Sequence, residues 1–419
     1  MEADRRAPPK LPLSAAARRL RILQVVPAYY PAVRYGGPIR SVHGLSVALA
    51  ARGHAVHVYT TSIDGAADLD VPLDMPVDLD GVTVRYFPVP VLRRLCWAPA
   101  LANRLKRTID EFDVIHLHSV FLWPTWAAAR AAFRAGVPYI TAPRGMLVRD
   151  IIHRKNRVIK TLWINLVERT TYAHAAGVHV TAELEAAELR ALGLRLPEIN
   201  CIPNGVDIPT EHLPLSAGPF AHLPPRYALF VGRISWKKGL DRLVTALQWI
   251  PDIPLVIAGN DDEGYRAMLE ALARSLGVAD RLIFLGPVSD SLKWALYEQA
   301  QVFVLPSYSE NFGNVVAEAM AMGCPVVVSP EVGIAALVQA SGAGVVTDGM
   351  PQRLAATIRD LLADDAQRAE MGRRGRETAR SRLSWSGVAA QMESLYLRIL
   401  DSRLAARAAQ SVKPVYSRE

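Results

Sequence analysis

Short apolar runs alternate with helical patterns from about Arg21 to about Leu400. That alternation commits the chain to parallel sheets, because a strand followed by a helix returns beside its predecessor in the same direction. In the first half the runs occupy residues 22–26, 56–60, 82–87, 114–117, 139–141, 178–180 and 200–202; in the second half, 228–231, 255–258, 282–285, 302–305 and 326–328. Between them, Glu211 to Pro225 carries Pro214, Pro219, Pro224 and Pro225 with little periodicity, and reads as a linker. The fold class expected is α/β, with two similar doubly wound domains at 20–212 and 213–384. Residues 1–19, rich in Arg, Pro and Ala, read as a disordered leader, and 403–419 as a frayed tail.

At 419 residues the chain exceeds what one core usually holds, and an apolar content of 51% is ample for two buried sheets. Cys96, Cys201 and Cys324 are too few and too scattered for a disulfide framework or a zinc site, which points to a reducing compartment and to core roles. No apolar run reaches the length of a membrane span, and the N-terminus lacks a hydrophobic segment of signal-peptide type. A cytoplasmic enzyme is expected, with no nucleic-acid partner.

The run Ser309-Glu310-Asn311-Phe312-Gly313-Asn314-Val315-Val316-Ala317-Glu318 follows the apolar stretch at 302–305. Asn314 suits a helix N-cap and Gly323 the helix end, which puts Glu310 on the loop beyond a strand and Glu318 in the first turn of the next helix. Ligands of open parallel sheets bind in that crevice. Two carboxylates there can accept hydrogen bonds from a sugar and a ribose, while the amides of Gly313 to Val316 face a phosphate. The plainer reading, a loop charge and a solvated helix residue, stays open on these residues alone.

Upstream, Ala228-Leu229-Phe230-Val231-Gly232-Arg233-Ile234-Ser235-Trp236-Lys237-Lys238-Gly239 runs from a buried strand through a basic turn into a helix. Together with the glutamate pair, this tract resembles the retaining glycosyltransferases of family GT4, whose two Rossmann-like domains face each other across a cleft in the GT-B fold. The resemblance implies that Arg233 and Lys238 bind a donor diphosphate, Glu310 the donor sugar and Glu318 the ribose, with Asn311, Phe312, Gly313 and Asn314 lining the donor site. It also implies that 385–402, with Trp385, Val388, Met392, Leu395 and Ile399 at helical spacing, is the helix that crosses back to the first domain. Asn311 departs from the small residue that many members carry after the first glutamate.

In the first half, Tyr35-Gly36-Gly37-Pro38 follows the first strand. Paired glycines let backbone approach a ligand, and the family counterpart of this loop lies near the donor phosphates; the pattern is not that of a dinucleotide fingerprint. Asp113-Val114-Ile115-His116-Leu117-His118 ends a strand in two histidines, read as lying on opposite faces and so unable to share a metal. His116 reads as a core residue, whereas His118 matches a family histidine beside the reacting sugar. Arg144, in Ala142-Pro143-Arg144-Gly145, suits a phosphate or carboxylate of the acceptor. Asn204 and Gly205 match a hinge motif and are equally a plain turn.

Asp68-Leu69-Asp70 and Asp78-Leu79-Asp80 have the form of a metal-binding motif, but they precede a strand rather than follow one and read as an acidic surface loop. No cofactor or catalytic metal is expected. Arg233, Lys238 and helix-end amides would neutralise the leaving diphosphate.

The formal net charge is +8, and most of the excess lies in residues 1–212. There Ile151, Ile152, Val158, Ile159, Leu162, Trp163 and Leu166 fall on one side of a helical wheel, opposite His153, Arg154, Arg157 and Lys160, with Lys155 the exception. A second basic group, Arg93, Arg94, Arg104, Lys106 and Arg107, surrounds Leu95 and Trp97. The stripe either packs on the sheet or lies on an anionic membrane, which would bring the cleft to a polyprenyl-diphosphate-linked glycan at the cytoplasmic face. The function expected is sugar transfer from a UDP- or GDP-sugar to a glycan or lipid-linked acceptor in polysaccharide or lipopolysaccharide assembly. A nucleotide-sugar epimerase and a non-catalytic binding protein would use the same cleft; the complete set Arg233, Lys238, Glu310 and Glu318 favours the transferase.

Overall fold

The structure, a computed structural model, describes residues 18–32, 36–148, 157–208, 220–250 and 253–411, with backbone only for 290 and 407–411. Among the described residues, ten strands precede the expected linker: β1 (Arg21–Val25), β2 (Ala55–Thr61), β3 (Ile63–Asp64), β4 (Ala67–Asp68), β5 (Val77–Leu79), β6 (Val82–Phe87), β7 (Val114–His118), β8 (Tyr139–Ala142), β9 (Gly177–Val180) and β10 (Ile199–Cys201). Six follow: β11 (Ala228–Val231), β12 (Leu255–Ala258), β13 (Leu282–Gly286), β14 (Val302–Leu305), β15 (Val326–Val328) and β16 (Gly344–Val346). The first sheet has the order β10-β9-β8-β7-β1-β2-β6-β5 and the second β13-β12-β11-β14-β15-β16, while β3 and β4 form a small separate ribbon. Pairing is parallel throughout both large sheets except between β5 and β6.

Both faces of the first sheet are buried. Ile22, Val58 and Val114 join one core cluster, whereas their sequence neighbours Leu23, Tyr59 and Ile115 join another on the opposite face. That is why these strands read as continuous apolar runs rather than alternating ones. The second domain is organised around a single large cluster containing β11, β12, β14 and β15.

The last helix, Trp385–Ser411, packs into the first domain's core: Val388, Met392, Leu395, Tyr396 and Ile399 share a cluster with Ile22, Val42 and Leu45. It runs beyond its expected end at 402, so the expected tail begins as helix. Its first residue explains Gly205, where a Cβ would sit 2.3 Å from the Trp385 ring. No helix among the described residues is long and apolar enough to cross a membrane.

Four local readings change. Gly313, at φ +97°, is the N-cap of the helix Asn314–Ala321, so Asn314 is the first helical residue and Glu318 lies in the second turn. A left-handed cap suits glycine and frees the asparagine side chain for another use. Asp68 and Asp78 lie in β4 and β5, not in a loop, and the aspartates have local partners: Asp68 accepts from Arg93 at 2.9 Å, and Asp80 bonds His43 at 2.9 Å. His116 and His118, two residues apart on β7, share a face as the strand period requires, with ring centroids 4.2 Å apart. The leader up to residue 17, the expected boundary at 212/213 and residues 151–155 lie outside the described residues.

Candidate active site

Each large sheet reverses its strand order once, between β1 and β7 in the first and between β11 and β14 in the second. A crevice opens at such a point, because the crossovers on either side leave in opposite directions. The sequence-selected residues stand at these two points. Gly36 and Gly37 follow β1 and His118 ends β7; Arg233 and Lys238 follow β11 and Glu310 follows β14. The crevices face each other: a Cβ on Gly36 would lie 3.8 Å from Arg233 Nη2, and one on Gly37 would lie 3.1 Å from Asn314 Nδ2. Gly36, at φ +76°, caps the helix Gly37–Ala51, so the N-termini of that helix and of Asn314–Ala321 meet across the cleft. Unpaired amides and the positive ends of both helix dipoles converge there, a setting for an anion such as a diphosphate.

Around these amides the second domain arranges charge. Lys238 Nζ is ion-paired with Glu310, both side chains about one-fifth exposed. Glu318 is held at both oxygens, by Lys293 Nζ at 2.9 Å and by the Tyr297 hydroxyl at 2.9 Å. Lys237 is half-buried, and burial holds its ammonium below the ordinary value, opposed by Glu310 and reinforced by Lys160 and Arg233. Lys237, Lys293 and Tyr297 were not singled out from the sequence. Lys293 and Tyr297 stand four apart on the helix Asp290–Gln299, which places them on one face, but nothing local indicates that this face meets Glu318.

On the other side, His118 is fully buried and both its ring nitrogens are engaged. Arg144 donates to Nδ1 from Nη2 at 3.1 Å, and since a guanidinium only donates, Nδ1 must accept and Nε2 must carry the proton. Nε2 accordingly donates to Gln24 Oε1 at 2.6 Å. Burial pushes His118 well below the ordinary imidazole value, with His116 and Arg144 adding to the effect, so the ring is neutral. His116 bonds the Tyr396 hydroxyl at 2.8 Å and His179 at 3.3 Å, which extends the network to the last helix.

Arg144, expected to meet an acceptor, is itself buried; burial lowers its guanidinium to about 10, with Glu185 opposing. Its Nη1 donates to Asn204 Oδ1 at 2.9 Å, Asn204 Nδ2 donates to Asn314 Oδ1 at 2.9 Å, and Asn314 Nδ2 donates to Ser41 Oγ at 3.1 Å. Asn204 thus joins the two domains. Asn311 also reaches across, donating to Thr181 Oγ1 at 3.0 Å. Phe312 is buried in the second domain's core. Left-handed non-glycine residues gather on loops of the first domain, Leu92 and Cys96 after β6, Ser119 and Phe121 after β7, and Arg144 after β8. Such strain persists where surrounding structure over-determines the backbone, and it is common at ligand sites.

Comparison with known proteins agrees with this geometry. The family of group 1 glycosyl transferases matches residues 219–378, and the glycosyl transferase 4-like domain matches residues 36–205. A D-inositol 3-phosphate glycosyltransferase of Xylanimonas cellulosilytica is 31% identical over 395 residues, covering 86% of this chain and 91% of the relative. A phosphatidyl-myo-inositol mannosyltransferase of Mycobacterium leprae is 30% identical over 382 residues, covering 86% and 92%. Among solved structures, the Anabaena HepE protein in complex with UDP-glucose superposes with a TM-score of 0.69 at 21% identity, covering 93% of this chain and 100% of that one. With its paired doubly wound domains, two helix N-termini meeting across the cleft and relatives that match along nearly its whole length, the chain belongs to the GT4-like glycosyltransferases of GT-B fold.

Proposed function

We propose that this glycosyltransferase moves a sugar, with retention at the anomeric carbon and without a metal, from a UDP- or GDP-sugar to a lipid-linked glycan acceptor at the cytoplasmic face of the membrane. The observation that carries the donor half is the convergence of Arg233, Lys238, Glu310 and two helix N-termini on one cleft, with Glu318 held nearby. Arg233, Lys238 and the amides take the diphosphate charge, Glu310 orients the sugar and Glu318 receives the ribose hydroxyls once Lys293 and Tyr297 yield. The bond from the anomeric carbon to the phosphate oxygen breaks as the acceptor hydroxyl attacks on the same face, and the departing oxygen takes that hydroxyl's proton. No enzymic nucleophile is required, so positioning and charge stabilisation supply the rate. Mass spectrometry of a UDP- and GDP-sugar panel in EDTA tests this: transfer to a polyprenyl-diphosphate sugar is expected. An isomerised nucleotide sugar, or activity rescued only by manganese, would overturn it. Inositol 3-phosphate belongs in the acceptor panel because a relative is named for it.

The acceptor half rests on an exposed apolar ridge. Val158, Ile159, Leu162 and Leu166 are 80%, 67%, 57% and 67% exposed, so this stripe does not pack on the sheet. Trp163, grouped with them from the sequence, instead turns inward and donates to Glu168 at 2.8 Å, and Lys160 lies over the Phe121 ring. A contiguous exposed patch of this kind marks an interaction site in a soluble protein. Exposed Arg157 and Arg169 flank it, each able to contribute about 1 kcal/mol at an anionic lipid surface. The second basic group supports less than expected, because Arg93 is paired with Asp68 and Arg104 with Asp74. In sedimentation with anionic liposomes, wild type should partition to the pellet and the variant Val158→Ser/Leu162→Ser/Leu166→Ser should not. Equal, salt-insensitive partitioning would remove the membrane role and leave the donor assignment intact.

A further inference from the structure

Asn311 follows Glu310 directly, yet its side chain leaves the donor domain and enters a socket on the other one. Its Nδ2 donates to Thr181 Oγ1 at 3.0 Å. The Thr181 hydroxyl in turn donates to Glu185 Oε2 at 3.1 Å, which leaves its lone pair for the amide. Glu185 is 4% exposed and organises the socket, accepting also from Thr181 N at 2.9 Å and from Gly145 N at 2.6 Å. Gly145 is at φ +73°, and a Cβ there would lie 2.6 Å from Asn311 Cβ, so the bare glycine provides the wall against which the asparagine lies. On the opposite side a Cβ on Gly333 would come within 1.9 Å of Asn311 O and 3.0 Å of Ala182 Cβ. One residue of the donor domain is therefore clasped between glycines of both domains.

Glu310 is tied to the same clasp. Its N donates to Glu331 O at 3.0 Å, and its own carbonyl accepts from Gly333 N at 3.0 Å, so its backbone can shift only with the 331–333 strap. The strap abuts Ala182, next to Thr181. Glu310 therefore lies one peptide bond from a tie to the first domain.

We propose that Asn311 is a positioning residue: seating its amide on Thr181 registers the closed cleft and aligns Glu310, with the donor sugar it holds, to the acceptor side. This rests on the transferase reading above and assigns Asn311 a role other than contact with the donor. A misalignment of about 1 Å between reacting groups costs on the order of a hundredfold in rate, so losing the latch should slow transfer without loosening the nucleotide.

The test compares Asn311→Ala, Thr181→Val and Thr181→Ser with wild type by UDP and GDP calorimetry, by kcat for transfer against donor hydrolysis, and by solution scattering. Asn311→Ala and Thr181→Val should each lower the transfer kcat by about tenfold or more, raise the share of hydrolysis, and enlarge the nucleotide-bound radius of gyration. Nucleotide Kd should stay within about twofold, and Thr181→Ser, which keeps the hydroxyl, should restore transfer. Nucleotide affinity falling in step with kcat/KM would make Asn311 a donor ligand and overturn the proposal, as would unchanged scattering and rates in Thr181→Val. Absence of transfer by wild type would instead count against the transferase reading, and scattering would still decide whether the latch closes the cleft.

Discussion

Lys238→Ala is expected to lower turnover by about a hundredfold or more, on the order of 3 kcal/mol, and Arg233→Ala to do the same, because under the proposed donor assignment each removes a cation from beside the leaving diphosphate. Arg233 stands opposite Gly36 at the N-terminus of Gly37–Ala51, and Lys238 begins its work already paired with Glu310. That pairing makes the two residues a unit. Lys238→Ala leaves the Glu310 carboxylate without its cation, so the loss in Lys238→Ala/Glu310→Ala should fall short of the sum of the single losses. Single-turnover rates with saturating donor separate chemistry from binding. Near-normal rates in both Arg233→Ala and Lys238→Ala would take the diphosphate site away from this tract.

Acid is expected to destabilise the protein through its buried histidines. His116 and His118 have no exposed surface and His179 is 3% exposed. Burial is the leading cause in all three, pushing His116 and His118 well below the ordinary value and His179 to about 3; neighbouring histidines add to it for His116 and His118, and Arg144 adds to it for all three. The unfolded chain takes up protons on these rings near pH 6.5, whereas the folded one does not. The stability they contribute is thus complete above that value and is lost as the pH falls toward the folded values. At about 1.4 kcal/mol per unit, His179 alone costs about 2 kcal/mol by pH 5, and His116 and His118 add to the loss in the same direction. Glu168 and Glu185, raised by burial, act in the opposite sense and soften the loss. Urea midpoints should drop steeply between pH 7 and pH 5; a flat profile would mean the rings admit protons or water while folded.

The residues of the two crevices were legible for a physical reason. Strands covered on both faces, such as β7, β11 and β14, must be apolar at every position, so they stand out as short runs, and the residues just beyond their carboxyl ends must line the crevice. Glu310, Arg233, Lys238, Gly36 and His118 all fall there. Of the strands that escaped, β5 and β16 lie at sheet edges, where one side of the ladder is unpaired and the sequence is free to carry an aspartate or a glycine, and β3 and β4 are two-residue strands of a ribbon outside the large sheets.

By itself, then, the sequence determined the two parallel sheets and which loops lie beyond the carboxyl ends of their strands, because those follow from periodicity and chain direction over a few residues. Tertiary structure alone decided the partners: Lys293 and Tyr297 on Glu318, Arg144 on His118, Asn204 on Asn314, Asn311 on Thr181, and the outward turn of Val158 and Leu162. A polar side chain's partner depends on which group burial leaves within about 3 Å of it, and for residues far apart in the chain that distance exists only after their elements have packed, within one domain for Glu318 and His118 and between the two for Asn204 and Asn311.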